Sequence, residues 1–310
     1  MKIAVIGPGA MGLLYGAKLS QCAEVVLVGN NAEHLKEIND NGITLKRDGE
    51  ETVYHVPAVL SGQIKEPTDM VILFTKAYLT EEALEQNKAL IGPDTVLLTL
   101  QNGAGHEETL SRFAENKNIL IGTTAQGSYR ENAHTIVNSG LGDTAIGAIS
   151  GDLAGTADII GIEEIRSVFE KSGFPCRISD NIKQMVWNKL MINASSSVLS
   201  GVLSVNQGYV VENSNAWEIC KNLIREICAT ATGEGYPFDE AEQTERIANH
   251  LKNAPGGYTS IYADLKNGRK TEVDYISGSV VKAAKRQGKT VPTQELMVRM
   301  VHAMEEKEGI

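Results

Sequence analysis

The chain opens Met1-Lys2-Ile3-Ala4-Val5-Ile6-Gly7-Pro8-Gly9-Ala10-Met11-Gly12. Four consecutive apolar residues run into a G-x-G-x-x-G turn, and helical spacing follows, with Ala10, Leu13, Leu14 and Ala17 at i, i+3, i+4 and i+7. This order predicts a buried strand over 2–6, a glycine turn and a helix lying on a sheet. It is also the order that cradles a dinucleotide. The first glycine permits the turn, the second lets a pyrophosphate approach the backbone, and the third lets helix and strand pack, while the helix N-terminus offers N–H groups. Gly7, Pro8, Gly9, Ala10, Met11 and Gly12 are therefore the candidate cofactor loop. The hexapeptide alone is a weak signal, and its place after the first strand of a multi-strand pattern strengthens it.

Outward from the loop, short apolar runs alternate with helical patterns, the sequence form of a parallel sheet flanked by helices. Strands are expected at 24–28, 69–75, 95–100 and 118–123. A hairpin over 43–47 and 50–56 turns at Asp48-Gly49, and its polar exterior suits a sheet edge. From 122 to 149 short segments with Gly, Asn and Ser suggest antiparallel strands finishing the sheet. A helix at about 160–172 and a strand at 175–178 follow. Beyond Ser179-Asp180-Asn181 the pattern is almost entirely helical, broken mainly by Ala254-Pro255-Gly256-Gly257. The chain of 310 residues is long enough for two domains. The expected fold is α/β: an N-terminal Rossmann-type, doubly wound sheet over 1–179 and an all-helical C-terminal domain over 180–310.

The formal charge of −10 repels polyanions and leaves no footprint for nucleic acid, so local cations must hold any anionic ligand. Cys22, Cys176, Cys220 and Cys228 lack zinc-ligand spacing and read as buried free thiols. No apolar run approaches the roughly 18 residues of a membrane span, and the start breaks at Gly7, too early for a signal peptide. These features point to a cytoplasmic protein with a small-molecule ligand and no metal, membrane or nucleic-acid partner. A homodimer is the one protein partnership left open.

The end of strand two, Val28-Gly29-Asn30-Asn31, lacks the acidic residue that usually holds the ribose hydroxyls. Its absence permits NADP, yet the Arg that would clamp a 2′-phosphate is absent too. Asn30 reads equally well as a cofactor contact or as a helix cap paired with Glu33.

Further segments line up in order: Phe74-Thr75-Lys76, Leu100-Gln101-Asn102-Gly103-Ala104-Gly105, Trp187-Asn188-Lys189-Leu190 with Asn193, then Ser260, Asp264 and Thr271-Glu272-Val273-Asp274-Tyr275-Ile276-Ser277-Gly278. With the glycine loop, this set resembles the ketopantoate reductase family (2-dehydropantoate 2-reductases) over essentially the whole chain. The resemblance implies NADPH-dependent reduction of a 2-oxo acid, with NAD also admitted. It implies Lys189 as proton donor and Glu272, on a T-E-x-D-Y-I-x-G helix, as its carboxylate partner. Lys76 and Asn102 would lie near the nicotinamide and ribose, with Asn102, Asn193 and Ser260 as substrate contacts. Two departures stand out: Ser197 replaces a second family asparagine, and another falls at or beside Gln207, next to Asn206. Both alter the substrate wall and place 2-dehydropantoate itself in question more than 2-oxo acid reduction.

The same residues also have a chemical reading. Ligands of open α/β sheets bind beyond the carboxyl ends of the strands, where Lys76 and Asn102 fall; a solvated lysine and a plain Asn-Gly turn are the bland alternatives. Lys189, Asn193 and Ser197 at i, i+4 and i+8 form one polar stripe too poor in charge for an ordinary exposed face. Ser197 joins the substrate-binding candidates on that basis. None of the scattered histidines takes a catalytic place. The alternative functions are an NAD-linked D-2-hydroxy acid dehydrogenase for branched or aromatic 2-oxo acids, and a regulator that binds NAD(P)H without turnover.

Overall fold

The computed structural model describes residues 1–152, 154, 155, 159 and 161–310. Two compact units emerge: Met1–Gln101 with His106–Ile182, and Asn102–Gly105 with Lys183–Ile310.

In the first unit, β1 (Lys2–Ile6), β2 (Glu24–Gly29), β5 (Ala58–Leu60), β6 (Met70–Leu73), β7 (Val96–Thr99) and β8 (Ile119–Thr124) are joined by β11 (Thr144–Ala148) and β12 (Cys176–Ile178). They form one eight-stranded sheet in the order β12-β11-β8-β7-β6-β1-β2-β5. The first six are mutually parallel, while β11 runs antiparallel to β8. From β1 the chain winds first toward β2 and β5 and then back toward β6, β7 and β8. The glycine loop therefore leaves the carboxyl end of β1 at the topological switch point, where such sheets bind ligands. Every residue of β6 and β7 is buried, as expected for parallel strands covered on both faces.

The hairpin of β3 (Ile43–Arg47) and β4 (Glu50–Tyr54) does not edge this sheet, and β9 (Gly127–Arg130) and β10 (Thr135–Gly140) do not finish it. These four strands form a second sheet in the order β4-β3-β10-β9, with β3 and β10 parallel. The helix Ala10–Leu19 packs on β1 and β2 and also on β3, β9 and β10. Both of its sides are consequently apolar, and Leu13, Leu14, Tyr15, Ala17 and Leu19 are fully buried. Tyr15 satisfies its hydroxyl with Thr124 Oγ1 at 2.8 Å and stacks on Phe174 at 4.2 Å, and burial pushes its phenol up to about 12. The helix expected at about 160–172 spans Ile162–Lys171; residue 160 lies outside the described residues. Cys22 is exposed, whereas the other three cysteines are buried.

The second unit comprises helices Ile182–Ile192, Val198–Leu203, Gln207–Glu212, Ser214–Gly233, Glu240–Asn253, Ser260–Lys266, Ser277–Arg286 and Pro292–Lys307, with a π-helical turn over Asn193–Ser197. Ser214–Gly233 is its central rod. Cys220, Leu223, Ile224 and Ile227 are fully buried on it, and the helices Ser277–Arg286 and Pro292–Lys307 pack against it. Among the described residues no helix is long and apolar enough to cross a membrane.

Candidate active site

Gly7 has φ +98°, and a Cβ there would lie 2.5 Å from the Thr75 backbone nitrogen. Only glycine tolerates that conformation and that approach. At Gly12 a Cβ would meet the Gly7 carbonyl oxygen at 2.0 Å, so helix and turn pack backbone to backbone. Gly9 is different: a Cβ would find nothing within 4 Å, which leaves an open cradle above it. Gly9 is the N-cap of the helix, no side chain caps the first turn, and that turn carries no acid. Open space, uncapped N–H groups and the positive helix end together fit a pyrophosphate. The buried Pro8 ring fills the space where a Cβ on Gly29 would sit, at 2.9 Å, fixing the end of β2 against the loop.

Asn30 does not cap the next helix. The cap is Asn31, whose Oδ1 accepts the His34 N–H at 2.9 Å, because the helix begins one residue later than the Asn30–Glu33 spacing suggests. Asn30 is exposed, and its carboxamide makes no hydrogen bond among the described residues. Lys36, farther along this helix, is paired with Asp40.

Beyond β6 and β7 lie Lys76 and Asn102. Lys76 is half-buried and opens the 3₁₀ turn Ala77–Leu79, its carbonyl accepting the Leu79 N–H at 2.8 Å. Gln101, to which the sequence assigns no role, ties the two strand ends together. Its Nε2 donates to the Thr75 carbonyl at 2.7 Å and to Thr80 Oγ1 at 2.9 Å, and its Oε1 accepts from Thr99 Oγ1 at 2.8 Å. A buried, fully bonded carboxamide fixes its neighbours in register. Its partners at 75 and 80 are distant in sequence, so only a polar residue at an apolar strand end could have marked it. Asn102 belongs with the second unit. There Gly103 has φ +102° and the Ala104 N–H donates to the Tyr275 carbonyl at 3.1 Å.

That bond bears on Glu272. Thr271 and Glu272 lie in irregular chain, 273–276 form a turn, and the helix begins only at Ser277. A regular helix would use the Tyr275 carbonyl internally; here it accepts from Ala104. Glu305 accepts the Thr271 N–H at 2.7 Å and anchors the segment, and the Glu272 carbonyl takes the Tyr275 and Ile276 N–H groups, each at 3.0 Å. Lys189, on the helix Ile182–Ile192, is half-buried. Desolvation lowers its pKa to about 8, against the opposing pull of the Glu272 carboxylate. The structure thus brings Lys189 and Glu272 into electrostatic contact.

The polar stripe is not one straight helical row. After Ile192 the helix widens into a π-turn, where Val198 N–H reaches the Asn193 carbonyl and the Ser195 and Ser196 hydroxyls bond back to Met191 and Ile192 carbonyls. Such back-bonding competes with the α-helical ladder, and π-turns concentrate at functional sites. Asn193 is half-buried and Ser197 buried, and neither side chain has a hydrogen-bond partner among the described residues. Thr259 Oγ1 donates to the Ser197 carbonyl at 3.1 Å, bringing the N-terminus of helix Ser260–Lys266 to this turn. Ser260 is exposed at its first residue. Asn206 is spent on capping, accepting the Tyr209 N–H at 3.0 Å, while Gln207 is buried with its N–H on the Gly257 carbonyl at 3.0 Å. No group of three or more metal-ligating side chains occurs among the described residues.

The family model for ketopantoate reductase PanE/ApbA matches residues 3–151, and that for the C terminus of the same family matches residues 181–305. The chain belongs to the ketopantoate reductase family. It is 31% identical to a 2-dehydropantoate 2-reductase of Lactococcus lactis subsp. lactis, an alignment covering 99% of this chain and 98% of that one. A 2-dehydropantoate 2-reductase of Pyrococcus horikoshii is 28% identical, covering 100% and 99%. Among solved structures, a ternary complex of D-mandelate dehydrogenase with NADH and anilino(oxo)acetate superposes with a TM-score of 0.92 at 31% identity over 100% of both chains. This family of nicotinamide-dependent oxidoreductases shares the Rossmann-type and helical halves seen here.

Proposed function

We propose that this ketopantoate reductase family member reduces a 2-oxo acid to the 2-hydroxy acid with NADPH, 2-dehydropantoate to pantoate in the first instance. The observation that carries the reading is Lys189, whose ammonium is lowered to about 8 beside Glu272. Residues 1–179 act as the dinucleotide-binding domain and 180–310 as the catalytic domain. Gly7 to Gly12 would hold the pyrophosphate, Asn30 would serve the adenosine ribose, and Lys76 and Asn102 would serve the nicotinamide end. When bound there, the nicotinamide supplies a hydride for the carbonyl carbon. Lys189 donates its Nζ proton to the oxygen that becomes the new hydroxyl, a role ordinarily worth about 10²- to 10⁴-fold. Glu272 orients that ammonium and keeps it charged. Ser260, Asn193, Asn102 and the Lys189 charge hold the substrate carboxylate, and Ser197 faces its substituent. Its place of work is the cytoplasm, whose reducing conditions suit four unpaired thiols.

A second reading, an NAD-linked D-2-hydroxy acid dehydrogenase, is favoured by specific features. Lys36 is engaged with Asp40, leaving the Asn30 carboxamide alone at the end of β2, and Ser197 and Gln207 replace the family's asparagines. Oxidation of NADPH and NADH is followed with 2-dehydropantoate, 2-oxoisovalerate, benzoylformate and 2-oxobutyrate. The highest kcat/KM is expected with NADPH and 2-dehydropantoate. A maximum with NADH and benzoylformate establishes the second reading, and no turnover of any pair leaves a cofactor-binding regulator.

A further inference from the structure

Thr259 is buried and extended, with φ −92° and ψ 164°, and its hydroxyl points inward to the Ser197 carbonyl at 3.1 Å. Neighbours along extended backbone alternate in direction, so Tyr258 and Ser260 leave on the opposite face, and both are exposed. Two residues of extended chain put their Cα atoms roughly 7 Å apart. The segment has little freedom to move, because the Gly257 carbonyl accepts the Gln207 N–H at 3.0 Å and the Pro255 carbonyl accepts the Gly208 N–H at 2.9 Å.

Tyr258 is 60% exposed, yet it is not loose. Its ring stacks on Tyr262 at 4.3 Å with an interplanar angle of 28°, and the Lys266 ammonium lies 5.5 Å from the Tyr262 centroid. One ring face is thus fixed on the helix and the other left toward solvent. A large aromatic surface held rigid and uncovered beside a polar contact is the form of a recognition platform, since aromatics bury much area with few torsions to freeze.

We propose that Tyr258 is a specificity-determining residue whose open ring face receives the substituent on the keto carbon of the acid held at Ser260. The site thereby admits 2-oxo acids bearing a flat aromatic group in addition to 2-dehydropantoate. This rests on the 2-oxo acid reading above, with Ser260 as carboxylate contact. Tyr262 acts as a positioning residue through the stack.

The test compares kcat/KM for benzoylformate with that for 2-oxobutyrate in the wild type, Tyr258→Ala and Tyr258→Phe. Thermal melting shows that each variant is folded. Tyr258→Ala is expected to lower the benzoylformate to 2-oxobutyrate ratio by roughly three- to tenfold, the worth of one aromatic pair. The loss falls mainly in KM for benzoylformate, and Tyr258→Phe restores the ratio to within about twofold because the ring face is kept. An unchanged ratio in Tyr258→Ala, or a wild type that reduces 2-oxobutyrate but not benzoylformate, overturns the assignment of Tyr258 alone. Absence of turnover with either acid in an enzyme that reduces 2-dehydropantoate overturns this assignment alone. Absence of turnover with 2-dehydropantoate as well, with either cofactor, overturns the 2-oxo acid reading and this assignment with it.

Discussion

Replacing Glu272 by Gln removes the charge that opposes the desolvation of Lys189 while leaving a side chain of the same size. With the lysine at about 8, about ten molecules are protonated for each neutral one at pH 7, so the donor is charged and ready. Reduction needs the protonated form, and kcat/KM for the 2-oxo acid should therefore fall as pH rises through about 8. Oxidation of the 2-hydroxy acid needs the neutral form and should rise over the same range. An adjacent opposite charge moves a pKa by about one to three pH units, so Glu272→Gln should carry the alkaline limb of reduction down to about pH 7 or lower. At pH 7.5 the protonated fraction would drop from about three-quarters to about one-quarter, a threefold loss from titration alone that disappears near pH 6. Poorer orientation of the ammonium adds a pH-independent loss. The assay is kcat/KM in both directions from pH 5.5 to 9.5, with a deuteride isotope effect to show that chemistry limits the rate. Stability carries the same signature: because folding lowers the lysine's pKa, the unfolded chain binds the extra proton between about 8 and 10.5, and this group's contribution to stability rises with pH there. A limb that stays near 8 in Glu272→Gln would refute the coupling. A limb that moves upward would refute its sign.

Lys189→Ala should cut kcat by about two orders of magnitude or more with NADPH binding intact, since the glycine loop is in the other unit; fluorescence titration of NADPH and steady-state rates check this. If most of kcat survives while chemistry limits the rate, another donor carries the proton. Ser197→Asn should shift selectivity toward 2-dehydropantoate over 2-oxobutyrate by roughly two- to tenfold, the worth of one hydrogen bond to a substrate hydroxyl. An unchanged kcat/KM ratio in a folded variant would remove residue 197 from the substrate wall. Gly103→Ala would set a Cβ 2.2 Å from the Tyr275 carbonyl oxygen at a positive φ, so it should destabilise the protein by about 1–3 kcal/mol or more and depress activity through Glu272. Denaturant melts read the first effect, and a melt matching the wild type would show that the turn is not constrained as described.

Elements specified by neighbouring residues were legible in the sequence. The strand-loop-helix over 2–19 is one continuous pattern, the apolar runs of β6 and β7 match strands buried on both faces, and the helical half shows its own period. The motif residues could also be named, because Lys189, Asn193, Ser260 and Glu272 sit in short recognisable segments. Their surroundings could not. Alternation in 43–47 and 135–140 marks strands with two unlike faces but carries no address, so the parallel pairing of Thr44 with Thr135, and with it the second sheet, depended on the fold. Thr271 to Ile276 reads as the start of a helix by its motif, yet its Thr, Val, Asp, Tyr and Ile are weak helix formers. The segment is irregular chain and a turn, and the Tyr275 carbonyl accepts from Ala104, far away in sequence. Gln101 gained its role from threonines on other segments, and the cap moved from Asn30 to Asn31 by one residue, within the uncertainty of any local signal. The sequence by itself determined the sheet's central strands and the glycine loop between β1 and the first helix, since each is written in contiguous residues, and it offered Lys189 as the candidate proton donor through its motif. Only the tertiary structure decided the direction of the Lys189 pKa, because desolvation and the pull of Glu272 act in opposite senses and their balance depends on how residues distant in the chain enclose one ammonium group.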